Sequence, residues 1–587
     1  NAGEDLDTIK IALDEGLKRF ETNGVNVKDL QRIKAESETN LYRGISTVLN
    51  KAFTLVEGNE FAGDPSYISK RAELANAVTA EDVMRVYNTY VKDQSFVMTS
   101  IVPKGNLKLA VTDANEAKVW IEEVKQNVAN EEVGQGEEAV YEKTKSKFDR
   151  SEPGFGKLPL FKSPEVWTGK MENGMALYGI ENNEVPLVQF DITIPGGHLL
   201  DPEGKSGVAS LLSNLMMQGT ASKTAAELEE SIGLIGANIN MYSANEDFHI
   251  TGSCLSKHFD ETIALVKEII LEPRWDTKEF NRIKKALETR LKGAEANPNS
   301  IASTVYYKLL YGDDHIFSTS GSGTQESIKE ITIEDLKNYY NTLSPKQAKL
   351  HIAGAIKKET AETTLAALNN WNTEAVALPI YTFKTSEPKN TLYFIDFPEA
   401  KQSVIRIGKL VLSAYDEDAN NLRFANEIIG GGSSGKLFQT LRIGKGYTYG
   451  AYSSVGNSKE IAPYTISTSV RANATLKSLD IIKNMVSNYE EDFSKTEVEL
   501  TKNKVLKAST RAYESLGAQL GMLRTISKYN KSHTFTEEDQ KELVAMSLED
   551  YKSIIGNYLN EEDMIYVVVG DKATQFEDVK KLGKTVV

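Results

Sequence analysis

The side chains that most often hold metal ions are few and widely spaced in this chain of 587 residues. No two of its six histidines lie four residues apart: they are His198, His249, His258, His315, His351 and His533. A helical zinc-peptidase motif needs two histidines at that spacing, because side chains at i and i+4 share one helix face. Asp313, Asp314 and His315 are consecutive, but three adjacent loop residues rarely converge on one ion. A solvated loop is the favoured interpretation of that cluster.

Nucleotide binding and nucleophilic catalysis are also poorly matched. The run GGGSSGKL from Gly430 is close to a phosphate-binding loop, but Leu437 stands where a magnesium-binding hydroxyl is needed. The preceding residues have a helical pattern, whereas a phosphate loop follows a strand. The single cysteine, Cys254, lies in an apparent strand without a local histidine, and no G-x-S-x-G motif is present. One cysteine also excludes an internal disulfide framework.

Three stretches of the chain are copies of one unit. Each begins with a Ser or Thr, has Glu-Asp two residues later, and continues as a helical pattern followed by a β-branched run; the first residues are Thr79, Thr332 and Ser547. The hydroxyl is a predicted N-cap, and the Asp at the third helical position completes a capping box. The copies are 253 and 215 residues apart. Such intervals indicate repeated domains rather than a solenoid.

A second landmark precedes each cap by 49, 52 and 47 residues. It is an apolar residue followed four positions later by a lysine, in the pairs Leu30/Lys34, Phe280/Lys284 and Leu500/Lys504. Two landmarks in one order at nearly one spacing predict a shared fold. Because only 78 residues precede Thr79, we expect the first copy to lack its front half.

The pattern of elements predicts an α+β fold with two complete homologous domains, each a mostly antiparallel sheet with helices packed on one face, and the C-terminal part of a third domain. Residues 1–123 are predicted to be that third part, ending in helices and a strand. Residues 124–163 form a charged, Gly- and Pro-marked linker. The complete domains are expected at 164–375 and 376–587, and the run Ser206–Thr220 is predicted to contain an amphipathic helix.

Composition limits the function classes. A formal net charge of −15 argues against nucleic-acid binding, which requires a basic surface. No stretch approaches the ~20 apolar residues of a membrane span. The composition fits a soluble protein, and the sequence leaves periplasm and cytoplasm equally open.

Two segments carry a family resemblance. One is SLLSNLMMQGT, which ends at Gly219–Thr220; the other is LFQTLRIGKGYTYGAYSS, which contains Arg442 and Tyr449. With them the whole chain resembles the insulinase/pitrilysin-like zinc metallopeptidases (inverzincins), a family that includes mitochondrial processing peptidase. The resemblance implies a hinged shell around a peptide chamber. One domain holds zinc through two histidines of H-x-x-E-H and a distant glutamate, and the motif's glutamate is the general base.

This chain departs from that pattern at each zinc position. Counting from Gly219–Thr220 places Ser210, Ser213 and Asn214 at the His, Glu and His positions, and counting from Pro298 places Arg290 at the distant glutamate. Hydroxyls and an amide are poor zinc ligands, and a guanidinium repels the cation. We therefore expect no metal site in this chain, and the polar face of an amphipathic helix is the favoured interpretation of these residues.

The other segment keeps a family feature. The resemblance implies that Arg442 and Tyr449 lie opposite the zinc and support the substrate and the reacting carbonyl. A guanidinium and a phenol are directional donors suited to a developing oxyanion. Tyr447 is a weaker candidate for the same role. The alternative is a surface arginine and a half-buried strand tyrosine.

The predicted function is the zinc-free, C-terminal portion of an insulinase-like zinc endopeptidase that acts on short or unfolded peptides. Zinc would belong to an N-terminal catalytic half or subunit, and the chain alone should be inactive. The alternative is a non-catalytic binding or structural subunit of the same fold, of the processing-peptidase or respiratory-complex core-protein type. The sequence leaves the choice between an enzyme and a binding subunit open.

Overall fold

The computed structural model describes residues 5–103, 105–117, 144–150, 156, 157, 159, 161–381 and 390–587. Most of the expected linker at 124–163 therefore lies outside the described residues. The described chain forms three parts: an N-terminal helical segment (residues 5–117) and two regions that are each built around a six-stranded sheet.

The N-terminal helical segment contains five helices: α1 (Leu6–Asn23), α2 (Val27–Gly44), α3 (Val48–Ala62), α4 (Tyr67–Ala77) and α5 (Ala80–Tyr90). The strand predicted after α5 is wrong, because residues 94–101 form no strand. Val97 and Ile101 in this run are 91% and 92% exposed. A β-branched run becomes a strand only when neighbouring strands bond its backbone N–H and C=O groups.

The second region is built on sheet A. Its strands are β1 (Trp167–Lys170), β2 (Ala176–Glu181), β3 (Leu187–Pro195), β4 (Asn238–Ser243), β5 (Asp247–Leu255) and β6 (Lys349–Gly354), in the order β1-β2-β6-β3-β5-β4. All pairs are antiparallel except β2 with β6. Its helices are α6 (Val208–Met216), α7 (Ala225–Leu234), α8 (Phe259–Leu271), α9 (Thr277–Ala294), α10 (Pro298–Tyr311), α11 (Gln325–Glu330), α12 (Ile333–Tyr340) and α13 (Lys358–Leu365).

The third region is built on sheet B. Its strands are β7 (Thr391–Asp396), β8 (Gln402–Leu412), β9 (Thr448–Val455), β10 (Ala462–Arg471), β11 (Ile565–Gly570) and β12 (Thr585–Val586), in the order β12-β7-β11-β8-β10-β9. Its helices are α14 (Ala419–Ile429), α15 (Lys436–Phe438), α16 (Thr475–Ser487), α17 (Tyr489–Asp492), α18 (Lys495–Ser509), α19 (Leu516–Tyr529), α20 (Phe535–Ala545), α21 (Leu548–Tyr558) and α22 (Lys572–Val579), with a π-helix at Gln439–Gly444. Five strands of each sheet share one order and one set of directions, and the sheets differ at one edge, where β1 pairs antiparallel with β2 but β12 pairs parallel with β7. The predicted α+β class is confirmed.

Both faces of each sheet are covered: one by helices of the same region, the other by a helix of the other region. On sheet A, Phe190 and Ile192 face a core made with the helices of the same region, because alternate strand residues share a face. The opposite face packs against Leu520 and Leu523 of α19, which comes from the sheet B region. Sheet B is covered reciprocally by Tyr306 of α10. This exchange of helices was not predicted from the sequence.

The three predicted capping boxes are confirmed. In α5, α12 and α21 the N-cap hydroxyl accepts from the backbone N–H of the third helical residue, whose aspartate accepts from the N-cap N–H. The pairs are Thr79/Asp82, Thr332/Asp335 and Ser547/Asp550. This local feature forms even in the first copy, whose described residues form no sheet.

The lysine landmark was placed correctly in two copies and wrongly in the third. Lys34 Nζ donates to the Asn76 carbonyl and Lys284 Nζ to the Lys329 carbonyl, both at 2.8 Å and both three residues before the cap. Lys502 makes the equivalent bond, to Val544 at 2.8 Å. Lys504 instead bonds the Gly431 carbonyl.

The error has a simple cause. Val498/Lys502 and Leu500/Lys504 both have the i, i+4 spacing, so the pattern alone fits either pair. The structure buries Val498 and leaves Leu500 43% exposed. Burial of Val498 therefore matches that of Phe280 in the second copy.

Candidate functional site

Arg442 and Tyr449 come together at one end of sheet B. Arg442 lies in the π-helix Gln439–Gly444, and Tyr449 is the second residue of the edge strand β9. The guanidinium carbon is 5.0 Å from the centroid of the Tyr449 ring, which is cation–π distance. Tyr449 is 82% exposed. The pair predicted from the sequence is thus assembled, with the phenol open to solvent.

Two backbone irregularities create this arrangement. The π-helix is a wider turn than an α-helix, and such turns occur often at functional sites. In the β9–β10 pairing the register shifts between Thr468 and Val470, so Tyr449 has no directly opposed residue. A bulge of this kind redirects a side chain at a sheet edge.

Buried residues on either side anchor the two irregular segments. Leu437, just before the π-helix, and Leu441, within it, are fully buried. The Thr448 hydroxyl donates to the Ser469 carbonyl at 2.7 Å, which fixes the start of β9. Gly446, with φ of 62°, supplies the left-handed turn between the segments. The half-buried Arg442 and the exposed Tyr449 are therefore anchored by buried neighbours in both segments.

Tyr447 has a different environment. It packs against the core of the sheet B region, and its backbone N–H donates to the Leu441 carbonyl at 2.9 Å. A partly buried ring in this position supports the π-helix. Tyr449 is accordingly the better placed of the two phenols for contact with another molecule.

The residues that the resemblance would place at zinc positions lie on α6 and α9. The Ser213 hydroxyl and the Asn214 amide both donate to the Ser210 carbonyl, at 2.8 and 2.7 Å. Arg290 is exposed on α9. Two of these groups are thus bonded to their own helix, and none is a strong zinc donor. The set does not fit a zinc ion.

Within the residues that the structure describes, no group of three or more His, Cys, Asp or Glu side chains is arranged to hold a metal ion. No helix among the described residues is long and apolar enough to cross a bilayer.

Comparison with known proteins identifies relatives for both sheet regions. The model of the insulinase family (peptidase family M16) matches residues 179–318, and that of the peptidase M16 inactive domain matches residues 330–505. The non-peptidase homolog YmxG of Helicobacter pylori is 20% identical over 397 residues, 67% of this chain and 91% of the relative. The uncharacterized zinc protease YmxG of Bacillus subtilis is 21% identical over 393 residues, 67% of this chain and 95% of the relative.

Solved structures show the same fold. A peptidase M16 inactive domain from Pseudomonas fluorescens superimposes with a TM-score of 0.64 at 22% identity, covering 70% of this chain and 99% of that one. A protease from Helicobacter pylori gives 0.63 at 16% identity, covering 70% and 100%. The two family models together cover more than half of the chain, and the chain belongs to the insulinase family of M16 peptidases.

Proposed function

We propose that this chain is the zinc-free part of an insulinase-type endopeptidase, in which Arg442 and Tyr449 assist a zinc centre held by another domain. The observation that carries the proposal is the contact between the half-buried Arg442 on its π-helix and the exposed Tyr449 at its β-bulge. A large aromatic side chain that is 82% exposed gains little from folding. A contact made outside the described chain accounts for its position.

The two side chains have a defined task in this proposal. The guanidinium and the phenol O–H donate hydrogen bonds to the substrate carbonyl as negative charge develops on its oxygen. Zinc, when bound by the other domain, supplies Lewis-acid polarisation and an activated water. Short or unfolded peptides are the proposed substrates, because an extended backbone presents its carbonyl to donors on a sheet edge.

Exposed apolar residues of the N-terminal helical segment are an argument for a partner domain. The helix that follows the lysine landmark is α3, α10 or α19 in the three copies. In the last two copies this helix covers the sheet of the other region. In α3 the corresponding apolar side chains are exposed, with Phe53 at 59% and Phe61 at 82%. We infer that α3 packs on a further domain of the same fold, which would carry the zinc.

The first experiment titrates the isolated chain with zinc and a quenched-fluorescence peptide. We expect no stoichiometric zinc binding and no chelator-sensitive cleavage, because Ser210, Ser213, Asn214 and Arg290 are poor ligands. Tight binding of one zinc with cleavage by the chain alone would contradict the proposal.

The second experiment uses the protein that includes the zinc-bearing domain. Tyr449→Phe should lower kcat about ten- to a thousandfold, because it removes one donor to the oxyanion. Tyr452→Phe, on the same strand with its ring against Phe438, is the matched control and should leave kcat unchanged. An unchanged kcat in Tyr449→Phe would remove this residue from the mechanism.

A second candidate function is a non-catalytic binding subunit of the same fold. The substituted zinc positions favour it, and one similar protein is itself named a non-peptidase homolog. The discriminating observation is whether the domain that packs on α3 carries an intact H-x-x-E-H. If that motif is absent, the binding subunit is the better description.

A further inference from the structure

A cavity of about 340 Å³ lies between sheet A and α19. Its floor is the outer face of three neighbouring strands, where Thr193 of β3 is paired with His249 of β5 and Lys349 of β6. Its wall is α19, which contributes Arg524 and Lys528. Ligand cavities of several hundred cubic ångström occur preferentially at such domain interfaces.

Two of the cations around the cavity are neutralised. Arg524 Nη1 donates to Asp191 at 2.6 Å. Lys528 forms an ion pair with Glu246 at 2.7 Å and a second with Asp247. These three carboxylates hold α19 on the sheet.

The other two cations, Lys349 and Lys459, have no such partner among the residues that the structure describes. In the described part of the chain, no carboxylate lies within ion-pair distance of the side chains of Lys349 and Lys459, which both line the cavity. Lys349 Nζ donates instead to the Ser527 carbonyl. Burial and the nearby Lys459 lower the pKa of Lys349, Asp247 opposes them in part, and Lys528 lowers the pKa further. A partly buried ammonium next to like charges is unfavourable without a counter-ion.

The two histidines beside the cavity supply no negative charge to offset the lysines. His351 is buried, and burial lowers its pKa to about 4, so that it is neutral near pH 7. Its Nε2 lies 2.7 Å from the Ser527 hydroxyl. His249 bonds Asp191 at 3.1 Å and stacks on Tyr242. Four cationic side chains therefore face three carboxylates around one cavity.

We propose that the cavity binds a small oxyanion, a carboxylate or a phosphate group, between Lys349 and Lys459. The anion supplies the missing negative charge, and Arg524 offers further N–H donors beside it. The remaining lining includes Pro195, Ala244 and Tyr529, which leaves room for an organic substituent on the anion. Because sheet A and α19 belong to different regions, the bound anion fastens one region to the other.

The test measures thermal unfolding and calorimetric binding of the 587-residue chain with inorganic phosphate and with acetate, each against chloride at the same ionic strength. We expect a saturable rise in Tm, since a ligand that binds only the folded state stabilises it. The two salts distinguish the two oxyanion sources. If neither differs from chloride, the proposal is wrong.

Three variants locate the site. Lys349→Met and Lys459→Met should each weaken anion affinity at least about tenfold, since each removes one of two charged donors. Lys278→Met, at an exposed position on α9, is the control and should bind normally. Unchanged affinity in both cavity variants would overturn the assignment.

Discussion

The same local sequence unit has two different outcomes in this molecule. In the second and third copies the run after the capped helix becomes β6 or β11, an inner strand of a sheet whose residues are almost all buried. In the first copy the helix forms with its capping box, but residues 94–101 remain unpaired and exposed. Helix caps depend on residues within one turn, whereas a strand depends on partners far away in sequence. The difference separates what a segment specifies alone from what its domain must supply.

The largest expected effect contrasts two isoleucines in corresponding runs. Ile352→Ala in β6 should destabilise the chain by about 2–5 kcal/mol, because it leaves a cavity in the core of sheet A. Ile101→Ala, at a residue that is 92% exposed, should change stability by less than about 0.5 kcal/mol. Denaturant unfolding followed by circular dichroism measures both. Similar losses would show that the first copy is packed in solution.

The second-largest expected effect is a loss of stability at acid pH in the sheet A region, which contains buried histidines, but not in the N-terminal helical segment. Burial lowers the pKa of His351 from 6.5 to about 4. Between these two pH values the histidine is protonated in the unfolded chain but neutral in the folded chain. Stability should therefore fall as pH drops from about 6.5 to about 4, by up to roughly 3 kcal/mol. His315, whose pKa burial also lowers to about 4, acts in the same direction. The N-terminal helical segment contains no histidine.

Asp191, Arg524 and Lys349 also face His351. Burial would raise the pKa of Asp191, but its bonds to His249 and Arg524 hold it below 3.8. The stability it contributes is lost only as pH falls below that value, outside the histidine range. Unfolding of His351→Gln between pH 7 and pH 4 is the measurement, and its stability should depend less on pH. A profile identical to that of the unchanged chain would contradict the assignment.

A smaller effect is expected at the lysine landmark. Lys284→Met leaves two carbonyls, of Lys329 and Ile331, without their donor and should cost about 1–3 kcal/mol. Lys34→Met removes one bond in a segment that has few buried residues, and should leave global unfolding unchanged. Calorimetry of both variants tests the contrast. Equal losses would mean that α2 and α4 are part of the cooperative core.

These contrasts show which features the sequence could predict. The capping boxes and the helix at Ser210–Asn214 depend on residues close together in the chain, and each was found. Arg442 and Tyr449 were named from the family resemblance, and their cation–π contact was not predicted. The cavity depends on Asp191 and Arg524, which are 333 residues apart, so no local pattern signalled it. The packing of α10 on sheet B and of α19 on sheet A was not predicted, for the same reason. The wrong strand after α5 shows the converse, since its local pattern was correct and its partners were missing.

The smallest effect concerns the caps themselves. Thr332→Ala should cost about 1 kcal/mol, within the 0.5–2 kcal/mol typical of such caps, because Asp335 also holds Lys205 at 2.7 Å and a loosened box weakens both. Thr79→Ala removes an equivalent cap from α5, where the described bonds of the Asp82 side chain run only to Thr79 and Arg85. Hydrogen exchange should therefore quicken in α5 alone for Thr79→Ala and across sheet A for Thr332→Ala. If Thr79→Ala also quickened exchange in sheet A, the first copy would be coupled to the rest of the chain, and its unpaired run would need another explanation.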